Sequence, residues 1–288
     1  MVASHAMAVP HNRIADISDL GIIVKRIIES ETTDRVTYPH RDNYYIFCLL
    51  KRGDATFRID FEDIRMTDRQ VLCIQPNQIH AFGSMGNAIE GFALLIDDSL
   101  VSEEHRLMLT EYGCHGRPAE TDDTRIGELE HLTEIIDRRT DGGGGSATSR
   151  RIVREAAAAA VGIFVEAICE NDGRRSKIDR RRLEIFIRFK ELLRDNLHLE
   201  KQASRYADAL HISTGYLNEI VKATANVSTS LYIRNETVLQ SKRLLVYTSL
   251  DIGEIAARLG FDDSAYFTRM FTKTAGVSPT LFRKNYRE

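Results

Sequence analysis

With 288 residues, 43% of them hydrophobic, the chain is long enough for two domains with separate cores. Its net charge of −3 hides a split: residues 174–288 carry 21 Lys+Arg against 13 Asp+Glu, and residues 1–173 carry the remaining 18 against 29, which points to a nucleic-acid-facing half beside an acidic one. Four scattered cysteines (Cys48, Cys73, Cys114, Cys169) argue against a disulfide frame or a paired-cysteine zinc site, and the apolar run at 156–165 is far short of a membrane span, so a cytoplasmic protein is expected.

Between Ile22 and Ile96 the signals are those of short strands. Residues 44–50 are an unbroken apolar run closed by a turn at 51–54, and residues 55–61 alternate apolar and polar side chains. Residues 71–74 end at Gln75, Pro76 and Asn77, and residues 92–96 form a further strand. No helical pattern separates these strands, so a sandwich or small barrel is favoured over a parallel α/β sheet. After Ser99 the period becomes helical. Residues 103–112 form a short helix, and residues 123–139 place Ile126, Leu129, Leu132, Ile135 and Ile136 on one face. A four-glycine run at 142–145 breaks the pattern as a flexible loop, and a long helix follows at 149–169. Its stripe of Val153, Ala157, Val161, Phe164 and Ile168 either covers the barrel or forms a dimer seam; its length favours the seam. Residues 171–176 mark a domain boundary, giving domains at 1–173 and 174–288.

The second domain reads as all helix. After a lead-in helix at 179–196, helix-turn-helix occurs twice, joined by a helix at about 228–247. Ala207 and Ala256 stand where the paired helices cross, Gly260 supplies a left-handed turn residue, and His211 holds the matching turn position. Asp251 with Glu254 forms a capping box, and Ser278 before Pro279 opens a last helix. The recognition helices are then 213–222 and 264–274. Leu217, Val221, Phe267 and Phe271 face the core. Ser213, Thr214, Asn218, Glu219 and Lys222 on the first, with Ser264, Thr268, Arg269, Thr272 and Lys273 on the second, are the candidate DNA contacts. The bland role for Arg269 is an ion pair with Asp262 or Asp263. A joining helix of about twenty residues is roughly 30 Å long, close to the roughly 34 Å of one B-DNA turn. Two such units, so spaced, can read successive major-groove segments.

Residues 180–288 resemble the DNA-binding domain of AraC/XylS-type transcriptional regulators. The likeness rests on Tyr216-Leu217-Asn218, Ser241-Lys242-Arg243-Leu244-Leu245, Glu254-Ile255-Ala256, the run from Leu259 through Gly260, Phe261, Tyr266, Phe267 and Arg269 to Phe271, and Gly276-Val277-Ser278-Pro279 with Arg283. It departs from the family's usual residues at Val221 for Phe, Asn226 for Gly, Thr237 for Arg and Ser241 for Ala. The resemblance implies an α+β two-domain chain: an N-terminal cupin-like β-barrel with appended dimerisation helices, then an all-α double helix-turn-helix domain. It also implies an activator that acts with RNA polymerase, as a homodimer on double-stranded DNA, in response to a small-molecule effector. Residues 39–45 and 76–80 look like the two segments flanking the family's barrel pocket, so His40, Tyr45, Phe47, Phe57 and His80 are candidate effector contacts; otherwise they are polar strand ends and plain core.

A metal site in such a barrel offers three or four His and carboxylate ligands in paired segments. His40 has no second His two residues later and no Glu nearby, so no metal and no cofactor are expected. With no nucleophile elbow, phosphate loop or paired-cysteine redox motif, no enzyme is expected either. The basic cluster of Arg174, Arg175, Lys177, Arg180, Arg181 and Arg182 either touches flanking phosphates or is a solvated linker. The rival readings are a metal-dependent cupin enzyme fused to a DNA-binding domain, and a constitutive DNA-binding protein whose barrel only dimerises.

Overall fold

The computed structural model of the chain describes residues 9–28, 36–86, 88–111, 117–140, 146–171 and 179–287. They form two compact units, one running from Val9 to Asn171 and the other from Asp179 to Arg287. The four-glycine run, Cys114 and the Arg174, Arg175 and Lys177 part of the basic cluster lie outside the described residues. Among those described, no helix is long and apolar enough to cross a membrane.

The first unit contains β1 (His11–Asn12), β2 (Ile22–Ile28), β3 (His40–Asp42), β4 (Tyr44–Arg52), β5 (Ala55–Ile59), β6 (Glu62–Met66), β7 (Gln70–Ile74), β8 (Ile79–Met85), β9 (Glu90–Asp97) and β10 (Ala119–Glu120). They make two five-stranded sheets, ordered β1-β3-β8-β5-β6 and β10-β7-β4-β9-β2. Every pairing is antiparallel except β1 with β3. The unbroken apolar run of β4 has a simple cause, since both faces of that strand are buried. Cys48 and Leu50 join Phe57, Ile59, Met66, Leu72 and Ile74 in a core shared by the two sheets. Tyr45, Phe47 and Leu49 point the other way, with Val71, Phe92 and Leu94. A strand covered on both sides loses the alternation that marks a half-exposed one. Burial pushes the Cys48 thiol up to about 12, so it behaves as an inert small hydrophobe.

Three helices follow: α1 (Glu103–Glu111), α2 (Asp123–Thr140) and α3 (Ala147–Asn171). Ile126, Leu129 and Ile136 of α2 and Val153, Ala157, Val161, Phe164 and Ile168 of α3 close over the outer face of the second sheet in one core. The Phe164 ring lies 5.3 Å from that of Phe47 and 6.2 Å from that of Phe92. The stripe read above as favouring a dimer seam is therefore consumed inside the chain, and the case for a seam built on it falls. Ile135 is also misplaced by the helical count, being 38% exposed, while Thr133 takes the inward position and donates its hydroxyl to Leu129 O at 3.0 Å.

The second unit is α4 (Arg180–Asn196), α5 (Ala203–Ala209), α6 (Thr214–Ala225), α7 (Thr229–Tyr247), α8 (Ile252–Arg258), α9 (Ser264–Ala275) and α10 (Pro279–Arg287). Local chemistry sets the helix starts. Asp179 accepts from Arg182 N, Ser228 accepts from Leu231 N, and Asp251 with Glu254 closes a full capping box. Phe186, Phe189 and Leu193 of α4 pack with Tyr206, Ala207, Leu217, Ile220, Val221 and Ile233 around the first helix pair. Phe267 and Phe271 of α9 are fully buried, and the Phe271 ring lies 5.8 Å from that of Phe282.

Candidate nucleic-acid interface

The two helix pairs turn by the same hydrogen bonds. Ile212 N donates to Ala207 O at 3.0 Å, and Phe261 N to Ala256 O at 2.9 Å. In each turn the preceding residue is left-handed, His211 at φ 55° and Gly260 at φ 74°. This is the six-to-one closure that ends a helix and reverses the chain. Ala207 is 0% and Ala256 1% exposed, so both small side chains are buried at their helix crossings. Gly260 is bound by more than its backbone angle: a Cβ there would run into the His198 carbonyl oxygen. Beside that turn, the Lys201 ammonium lies 4.5 Å from the centre of the Phe261 ring.

Each second helix ends in the same manner. Asn226 (φ 57°) donates its N–H to Lys222 O at 3.0 Å, and Gly276 (φ 77°) donates to Thr272 O at 2.9 Å. Asn226 thus does what glycine does in the second copy, as an amide side chain can in this region.

The ten candidate DNA contacts fall into three kinds. Thr214, Glu219 and Lys222 on α6, and Ser264, Arg269, Thr272 and Lys273 on α9, are exposed. Ser213 and Asn218 are exposed as well but already carry local duties. The Ser213 hydroxyl accepts from Tyr216 N at 3.1 Å, capping α6, and Asn218 Oδ1 accepts from Thr229 N at 3.0 Å at the start of α7. Thr268 is half-buried and donates its hydroxyl to Ser264 O at 2.8 Å; Thr272 does the same to Thr268 O at 2.7 Å. Arg269 Nη2 stands 3.7 Å from Asp263 Oδ2 in an exposed pair, a contact weak enough to exchange for phosphate. Tyr266, 56% exposed on α9, belongs with these residues; its only sequence signal is its place in the motif run.

Thr237 and Ser241 face inward, where their hydroxyls donate to Ile233 O and Thr237 O, both at 2.7 Å. At Thr237 the family's usual arginine is thus replaced by a satisfied core residue. Of the basic cluster, Arg180 pairs with Glu184, and Arg182 pairs with Asp179 and lies 5.7 Å from the centre of the Tyr216 ring.

The five candidate effector contacts do not come together. Tyr45 and Phe47 lie on the helix-covered face of the second sheet, and Phe57 lies in the inner core with its ring 5.1 Å from that of Phe82. Two faces of one strand read alike when both are buried, which is why residue type pointed to a pocket wall. His40 and His80 do meet, as direct partners across β3 and β8 with ring centroids 4.2 Å apart. Asp42, absent from the candidates, joins them: its Oδ2 lies 3.3 Å from His80 Nε2 and 3.7 Å from His40 Nε2. Asp42 follows His40 by two residues, a spacing that the sequence itself carries. Burial first, then His80, pushes the His40 imidazole below its ordinary value. Burial opposes ionisation of Asp42, yet His80, His40 and the Asn12 amide together outweigh it and hold the carboxyl below its ordinary value. Tyr44 is raised by burial and by the Asp42 carboxylate and stays a neutral phenol.

Comparison with known proteins matches each unit separately. Residues 24–153 match the family described as an AraC-like ligand binding domain, and residues 206–285 match a helix-turn-helix domain family. Among individual proteins, the HTH-type transcriptional regulator YfiF of Bacillus subtilis is 38% identical over 96 residues, covering 33% of this chain and 30% of that protein. The HTH-type transcriptional activator RhaR of Cronobacter sakazakii is 32% identical over 94 residues, covering 33% of each. The chain thus spans about a third of the length of these curated relatives. Over almost the whole chain, a structure of ToxT from Vibrio cholerae aligns with a TM-score of 0.42 and 14% identity, covering 93% of this chain and 98% of that one.

Proposed function

We propose that the chain, whose residues 24–153 and 206–285 match an AraC-like ligand binding domain and a helix-turn-helix domain, is an AraC-type transcription regulator that reads double-stranded DNA with α6 and α9 in successive major grooves. The observation that carries this reading is the repeated turn, built twice with the same bonds and joined by one helix. At 1.5 Å per residue the 19 residues of α7 extend about 28 Å, close to the roughly 34 Å between successive grooves on one face of the duplex. Lys273 and Lys222 supply charge toward phosphates, which gives affinity, while Arg269 and the remaining outward side chains select bases.

Buried apolar side chains of both sheets pack together between them, and a small-molecule effector would meet polar groups at the β3–β8 pair. Its binding would favour one state of the regulator over another. RhaR is named an activator, and by that likeness the same sign, with RNA polymerase as partner, is proposed here; so are a homodimer, a cytoplasmic location and the absence of any catalytic step.

A genome-fragment binding selection at two salt concentrations tests the reading. Enrichment of sites with two blocks about one helical turn apart supports it, and uniform salt-labile binding to all fragments refutes it. On an enriched site, Arg269→Ala should weaken binding by about 1–3 kcal/mol if the guanidinium reads a base. Lys273→Ala should weaken binding alike on all sequences and reduce the salt slope by about one if it contacts phosphate. Both side chains are exposed, so helicity and melting should not move, and unchanged affinity in both variants removes α9 from the interface.

A further inference from the structure

Strand register brings three acceptor atoms to one place in the N-terminal unit. His40 lies directly across from His80, and Asp42 shares a face of β3 with His40 because side chains alternate along a strand. Each imidazole holds Nδ1 against a backbone carbonyl, Tyr38 O at 3.0 Å from His40 and Gln78 O at 3.1 Å from His80. A carbonyl only accepts, so Nδ1 carries the hydrogen, and the Nε2 of a neutral ring presents a lone pair. Both Nε2 atoms stand beside Asp42 Oδ2. The other carboxylate oxygen, Oδ1, accepts from Asn12 Nδ2 at 2.9 Å, whereas Oδ2 accepts no hydrogen bond although the side chain is 2% exposed. Three such atoms converging in a buried place need a shared proton or a cation between them, and Asp42 Oδ2 is left without a hydrogen-bond partner.

We propose that His40 Nε2, Asp42 Oδ2 and His80 Nε2 bind a divalent first-row transition-metal ion. Ligands bonded at about 2.1 Å hold neighbouring donor atoms about 3.0–3.4 Å apart. The His80–Asp42 separation of 3.3 Å falls in that range, the His40–Asp42 separation of 3.7 Å lies a few tenths of an ångström above it, and all three donor atoms lie within 4.8 Å of one another. Two imidazoles with one carboxylate suit iron, cobalt, nickel or zinc, whereas magnesium and calcium take oxygen ligands. The Nδ1–carbonyl bonds are the outer contacts that orient metal-bound imidazoles. Three protein ligands leave positions open, where water or a donor atom of a small molecule would complete the shell. This inference stands on the N-terminal unit and does not depend on DNA binding.

The test uses the full chain, stripped with chelator and titrated with Co²⁺ by visible absorption and with Zn²⁺ by calorimetry. One ion per chain is expected, with affinity falling about 100-fold or more in Asp42→Asn and in His80→Gln, each with wild-type circular dichroism. No binding by the wild type overturns the proposal, as does binding that both variants retain, since seven of the chain's nine histidines lie elsewhere. Should neither variant fold, X-ray absorption on the wild-type cobalt complex decides. Two imidazoles and oxygen around the ion support the site; a thiolate or a single imidazole overturns it.

Discussion

Replacing Phe271 with alanine is expected to destabilise the C-terminal unit by about 3–5 kcal/mol, the usual cost of emptying a phenylalanine site in a core. The ring is fully buried, with its centroid 6.1 Å from that of Phe267 and 5.8 Å from that of Phe282. It therefore joins the second recognition helix to α10 from within. Stability of a domain is about 5–15 kcal/mol in all, so this one change removes a large part of it. Urea unfolding followed by circular dichroism measures the loss, and a change below about 1 kcal/mol would mean that α9 is not anchored through this ring. The contrast with Arg269→Ala is the useful one. Two residues away on the same helix, that substitution should leave the unfolding curve in place and move only the DNA affinity. A helix whose buried and exposed residues separate in this way is a reader held on a scaffold.

Legibility followed the range of the interaction that decides each feature. His211, Gly260 and Asn226 occupy left-handed positions, and such turns depend on a few adjacent residues, so both helix-turn-helix units could be placed from sequence. The capping box at Asp251 and Glu254 is local in the same sense. Strands were harder. No strand was expected specifically at β6 or β8, because Glu62, Asp63 and Arg65 in one and Gly83 and Ser84 in the other dilute the apolar signal. What a strand faces is set by its neighbours, so Tyr45 and Phe47 looked fit for a pocket and lie under helices. The His40–Asp42–His80 cluster needed both kinds of knowledge. The spacing of His40 and Asp42 is local and could have been read; that His80 lies opposite depends on β3–β8 register, which no local pattern specifies. Asn218 shows a further limit, since an outward position on a recognition helix did not reveal that its side chain caps the next helix.

The α3 stripe offers the second large effect, and one that separates two uses of the same residues. Phe164 is fully buried against Phe47 and Phe92 within one chain. Phe164→Ala should therefore cost about 3–5 kcal/mol, and the cost should be a property of the single chain. A seam between two chains behaves otherwise, because association adds stability that grows with protein concentration. Unfolding wild type and variant in urea at two protein concentrations, tenfold apart, distinguishes the cases. If the packing is internal, the difference between the two midpoints is the same at both concentrations. If the stripe is shared between copies, the difference changes with concentration and the variant dissociates before it unfolds. Any homodimer must then be built on other surfaces, because a side chain packed between two phenylalanines of its own sheet has no face left for a partner.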